Sequence, residues 1–316
     1  MSTVEIYARA ATRENTKRSY RSALQHFEAE WGGMLPASPD TVARYLAEHA
    51  GTLSISTLQQ RLAALADWHH THGFPDPTKS HIVRKVLKGI RALHPARQKQ
   101  ARPIQLEQVG QIAHWLDEAI AAAALAKRRP DQLRYTRDRA LLLLGFWRGF
   151  RGDELARLRV EHVNAVSGEG MTCFLTQSKG DREARGKTFK APALRSLCPV
   201  EAYLAWIALA GITDGPVFRA VDRWGNVSEM GLHINSLVPV LRTLFHRAGI
   251  AFAHQYSGHS LRRGFANWAT SNGWDLKTLM EYVGWQDAHS AMRYMDAADP
   301  FAKMRTAQGK ATAIAV

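Results

Sequence analysis

Gly258-His259-Ser260-Leu261-Arg262 opens a segment with helical spacing of its apolar residues. Ser260 reads as the N-cap, which sets His259 just ahead of a helix over 260–271 and Arg262 in its first turn. Both side chains then face a helix N-terminus, where free amides and the macrodipole favour an anion. Upstream, Phe150-Arg151-Gly152-Asp153-Glu154-Leu155 sets an arginine at a glycine-flanked turn into another helix. Its planar fork suits a phosphate, and the plain alternative is a surface pair with Glu154 one turn on. Between the two, Ser178-Lys179-Gly180 sets a lysine in a turn between candidate strands, where most lysines are merely solvated. Downstream come Gly284-Trp285 and Arg293-Tyr294, with Trp285 nine residues before Tyr294. A tyrosine at a helix end ordinarily packs its ring into the core.

Around these residues the chain is mainly helical. Tyr20, Leu24, Phe27 and Trp31 share one face of a helix starting near Asn15, and Ser38-Pro39 is a cap followed by a first-turn proline. Leu58, Leu62 and Leu65 mark a third helix ending near Gly73, and Val83, Val86, Leu87 and Ile90 a fourth over 79–93. Further helices are expected over 105–126, 131–147, 152–158, 199–210, 234–248, 275–283 and 288–295. Short extended stretches at 159–163, 171–176 and 187–191, joined by Gly-containing turns, predict one small antiparallel sheet. The organisation expected is a helical domain over 1–95, a basic linker over 96–103 and an α+β domain with a C-terminal tail over 104–316.

Charge narrows the function. The 316 residues carry 42 Lys plus Arg against 28 Asp plus Glu, a net charge of +14. The excess is spread over both halves, which favours a polyanion such as nucleic acid over a membrane surface. From Lys79 to Leu106 there are eight basic residues and no acidic one. Arg84, Lys85, Lys88 and Arg91 on the fourth helix, with Arg97 and Lys99 in the linker, are the candidate DNA contacts. A solvated basic face is the competing reading. No apolar run reaches the roughly 18 residues of a membrane span, and no signal peptide is visible, which points to the cytoplasm. Two cysteines exclude a disulfide framework, no Asp/Glu cluster suits a two-metal site, and no P-loop is present, so no cofactor is expected.

Individually weak, the signals are specific in combination. Arg151, Lys179, His259-x-x-Arg262, Trp285 and Tyr294, in that order, resemble the tyrosine recombinase (phage integrase) family. Asn15-Thr16-Lys17-Arg18-Ser19-Tyr20 resembles the opening of that family's helical core-binding domain. The resemblance implies a two-domain recombinase acting on double-stranded DNA with inverted-repeat sites, as dimers that pair into a tetramer. It implies Tyr294 as the nucleophile, Arg151 and Arg262 as the phosphate clamp, and His259 and Trp285 as further donors. Lys179 is implied as the general acid and Glu154 as the acidic residue that supports the site. Lys187, at the far end of a long turn, is a rival for the acid. Such a set needs no metal, since fixed guanidiniums stabilise the charge on a pentavalent phosphate. A non-catalytic DNA-binding protein on the same fold would have no need of Tyr294 and both arginines. A type IB topoisomerase would share the chemistry without paired sites.

Overall fold

The computed structural model describes residues 3, 7, 11–95, 100–176 and 186–295. The chain divides into two compact units, Met1–Lys99 and Gln100–Val316. In the first, α1 (Glu14–Gln25) runs on into a π-type turn, His26–Glu30. Three serines open the next helices: Ser38 caps α2 (Pro39–Glu48), Ser54 caps α3 (Ile55–Thr71) and Ser80 caps α4 (His81–Leu93). In each, the hydroxyl accepts from the third helical amide, satisfying a donor that the helix leaves open. Phe27, Val42, Tyr45, Leu46, Leu58, Leu65, Val83 and Ile90 form the core. Because Val83 and Ile90 turn α4 inward, the helical period turns Arg84, Lys85, Lys88 and Arg91 outward, and all four are exposed.

The second unit is built on α6 (Arg129–Arg148), packed by α5 (Leu106–Leu125), α8 (Pro199–Ala210) and α10 (Gly258–Ser271). Ala140–Leu144 and Phe146 are fully buried, so the second half of this helix is apolar on every side up to Arg148, as the centre of a core must be, while its first half carries Arg134, Arg137, Asp138 and Arg139. It stops at Gly149, whose φ of +58° is the left-handed conformation glycine adopts without steric cost. The short α7 (Gly152–Ala156) follows. β1 (Val163–Val166), β2 (Gly170–Leu175) and β3 (Lys187–Pro192) form an antiparallel sheet in sequence order. After the sheet and α8 come β4 (Arg219–Val221), β5 (Val227–Gly231), α9 (Ile234–Arg247), α10, α11 (Leu276–Val283) and α12 (Ala288–Met292). On α10, a Cβ at Gly264 would stand 2.0 Å from the Ile104 carbonyl oxygen. Only glycine lets the chain ahead of α5 lie there, and Ile104 N donates to Ser260 O at 3.2 Å. The architecture is mainly α with small antiparallel sheets.

Four expectations need correction. Ser257, not Ser260, caps α10: its hydroxyl accepts from His259 N, while Ser260 Oγ accepts from Ser257 N at 2.9 Å. This reciprocal capping box moves the helix start to Gly258, so His259 lies in the first turn and Arg262 beyond it. The first strand begins at Val163 rather than Arg159, because Val160–His162 forms a 3₁₀ turn and Arg159 makes only an isolated bridge to Pro216. The β4–β5 hairpin was not expected at all. The last helix ends at Met292, three residues short of the expected 295. Lys179, Arg97, Lys99 and the tail from 296 onward lie outside the described residues.

Candidate active site

Five elements of the second unit converge on one spot. Gly149 ends α6 and leads through Phe150 to Arg151, the N-cap of α7. Glu154, in the first turn of α7, is buried and accepts from both the Arg151 backbone amide and Arg151 Nη1, each at 2.7 Å. The pair is thus the i, i+3 pair its spacing allows, but it is no surface pair. The same carboxylate lies 3.5 Å from Arg262 Nη1, which also donates to the Gly149 carbonyl at 2.6 Å. One buried carboxylate thereby orients two guanidiniums.

Arg262 is fully buried, and its Nε and Nη2 have no partner among the described residues. Burial pulls its pKa down to about 9, with Arg151 and Arg148 adding to the effect and Glu154 and Tyr294 opposing it. The group therefore stays protonated at neutral pH. Its guanidinium carbon is 4.8 Å from the Trp285 ring centroid and 5.5 Å from that of Tyr294. Trp285 follows the α11 C-cap, and its Nε1 is likewise buried without a partner among the described residues. Tyr294 stands in the turn after α12, its amide donating to the Ala291 carbonyl at 2.9 Å. Its hydroxyl is 3.0 Å from His259 Nδ1, and its ring centroid is 5.3 Å from that of Trp285.

Arg151, Glu154, His259, Arg262, Trp285 and Tyr294 are thus brought together from helices distant in sequence. Chemically, two guanidiniums, one of them Arg262 with buried donors left over, and an indole N–H suit an anion beside a tyrosine hydroxyl. His259, expected as a donor to phosphate, has its Nδ1 on that hydroxyl, and its ring carries a second nitrogen, Nε2. Lys187, at the start of β3, approaches from the sheet. Its Nζ is 5.6 Å from the Phe189 ring centroid and 3.6 Å from where a Cβ on Gly284 would stand. Tyr282, the next tyrosine upstream, donates its hydroxyl to the Trp147 carbonyl at 2.9 Å. The sequence reading gave no role to Arg148, since a lone arginine closing an apolar helix reads as a partner of the helix dipole. Among the described residues no group of His, Cys, Asp and Glu could hold a metal ion, and no helix is long and apolar enough to cross a membrane.

The profile of the phage integrase family matches residues 114–300, more than half of the chain. An integrase/recombinase xerD homolog of Selenomonas ruminantium is 29% identical over 297 residues, covering 91% of this chain and 83% of the relative. Recombinase cre of Escherichia phage P1 is 26% identical over 276 residues, covering 82% of this chain and 76% of the relative. Among solved structures, the Tn1549 transposon integrase in complex with transposon right end DNA is similar, with a TM-score of 0.60 at 14% identity over 97% of each chain. XerH site-specific recombinase bound to palindromic difH substrate gives 0.59 at 17% identity over 93% of this chain and 78% of that one. At such identities these structures establish the shared fold.

Proposed function

The chain belongs to the phage integrase family, the tyrosine recombinases, and on that premise we propose that it exchanges DNA strands at specific sites through a covalent 3′-phosphotyrosyl intermediate on Tyr294. The observation that carries this reading is the Tyr294 hydroxyl, 3.0 Å from His259 Nδ1 and beside the buried Arg262 guanidinium. With Nε2 protonated, Nδ1 accepts from the hydroxyl and takes its proton as the tyrosine oxygen attacks phosphorus. The bond from phosphorus to the 5′-oxygen then breaks, and that oxygen takes a proton from Lys179. Arg151, Arg262 and Trp285 donate to the oxygens on which negative charge builds, and Glu154 holds both arginines in place. The phosphotyrosyl ester conserves the energy of the broken bond, so a second 5′-hydroxyl reseals the strand without a nucleotide cofactor.

In this reading the first unit is the core-binding domain and meets DNA through Arg84, Lys85, Lys88 and Arg91, with Arg97 and Lys99 following in the linker. The second unit is the catalytic domain. Two protomers bind an inverted repeat, and two such sites pair in a tetramer. The DNA-bound relatives support duplex DNA as the partner. The test is strand exchange between two labelled copies of a duplex that the full chain selects from a random library. Recombinant duplexes are expected only when both copies carry the selected sequence. Relaxation of plasmids lacking that sequence, without exchange, would make the protein a topoisomerase, and binding without either would make it an accessory factor.

A further inference from the structure

Arg148 has no role in the chemistry above, and packing alone does not explain it. It is the last residue of α6 and is 1% exposed. Its Nη2 donates to the Tyr282 carbonyl, while Nε and Nη1 have no partner among the described residues. Among those residues no carboxylate lies within ion-pair distance of it. A buried cation without a carboxylate is costly, and an apolar side chain of the same length would fill the space at less cost. What surrounds it are three aromatic rings. The guanidinium carbon is 3.9 Å from the centroid of Tyr282, 5.0 Å from Phe189 and 5.5 Å from Phe150.

Each ring belongs to a different arm of the site. Phe150 immediately precedes Arg151. Phe189 shares a face of β3 with Lys187, whose Nζ lies over the same ring. Tyr282 is three residues before Trp285, and its own hydroxyl is tied to Trp147 on α6. Among the described residues Arg148 is thus a cation whose guanidinium lies against a ring from each of the arms carrying Arg151, Lys187 and Trp285. Its charge also reaches Arg262, adding to the downward pull on that group's pKa.

We propose that Arg148 is a positioning residue for strand cleavage: stacked among Tyr282, Phe189 and Phe150, its guanidinium fixes the arms that present Arg151 and Trp285 to the scissile phosphate. The proposal rests on the reading of the site given above. Arg148 itself is buried and touches no DNA, so its effect belongs in the rate of the bound complex and not in affinity.

The experiment uses the full chain with Arg148→Met, an unbranched apolar side chain that fills most of the space without charge, and Arg148→Lys, which keeps the charge without the flat fork. Three quantities are measured on a nicked duplex carrying the selected sequence: single-turnover cleavage at saturating protein, DNA affinity, and Tm. Arg148→Met is expected to slow cleavage at least tenfold with affinity within twofold and Tm unchanged or higher, and Arg148→Lys to recover at least threefold of the rate. Cleavage by Arg148→Met within twofold of the unmodified chain would overturn the proposal. So would a loss of rate that follows a lowered Tm or a weakened affinity, or an Arg148→Lys no faster than Arg148→Met. The unmodified chain and Tyr294→Phe run alongside. If the unmodified chain forms no adduct, the reading of the site fails. If it does and Arg148→Met matches it, this inference alone fails.

Discussion

At the residue scale, the site depends on shared partners more than on single contacts. Glu154 serves Arg151 and Arg262 together, and Gly149 supplies the second acceptor for Arg262. Arg262→Lys keeps a charge and three donors, but on a single nitrogen that cannot span Glu154, the Gly149 carbonyl and a phosphate oxygen as the flat fork does. Cleavage is therefore expected to fall at least about a hundredfold, the scale of losing one oxyanion donor, with DNA affinity little changed. Near-normal cleavage would make Arg262 purely structural. The lysines need a different probe. A 5′-alkoxide leaves poorly without a proton, whereas a thiolate leaves unaided because its conjugate acid is much stronger. With sulfur in place of the bridging 5′-oxygen, Lys179→Ala is expected to cleave nearly as well as the unmodified chain, while failing on ordinary DNA. Lys187→Ala is expected to show no such selective rescue. The opposite pattern would transfer the role to Lys187, which stands beside Gly284 at the rim of the site.

At the scale of elements, α4 offers the cleanest test. Its inner face is fixed by Val83 and Ile90, and among the described residues none of Arg84, Lys85, Lys88 and Arg91 has a carboxylate in ion-pair distance. Neutralising two of them is expected to weaken binding to selected and random duplexes alike. The slope of log K against log salt is expected to shrink by roughly one to two units. An unchanged slope would mean that this face does not meet phosphate. Helix starts with a serine cap were legible in the sequence at Ser38, because cap and first-turn proline are both local signals. The cap of α10 was misread, because Ser257 and Ser260 both qualify and only the reciprocal bonds between them decide which leads. The β4–β5 hairpin was missed for a related reason. Its strands pair with a register shift between Arg219 and Val221, and its turn is built by Asp222 accepting from Trp224 N and Asn226 N, so no clean alternation marks it. Arg148 was invisible as well, since its three aromatic neighbours come from three separate segments.

At the scale of the whole molecule, seven residues were named for the site between Arg151 and Tyr294; folding brings six of them to one place, and the seventh, Lys179, lies outside the described residues. Their order along the chain was readable. Their roles as a set depend on a buried carboxylate, a backbone carbonyl and a capping box that no spacing displays. The central claim is that Tyr294 forms a covalent bond to DNA. The direct measurement is to trap the nicked, selected duplex on the full chain in excess EDTA, digest the adduct with protease and identify the residue that carries the nucleotide. The account predicts a 3′-phosphotyrosyl peptide containing Tyr294, formed without divalent metal and absent from Tyr294→Phe, which removes one oxygen and leaves the ring against Trp285. An adduct of normal yield with Tyr294→Phe, a label on another residue such as Tyr282, or strict dependence on a divalent metal would contradict it.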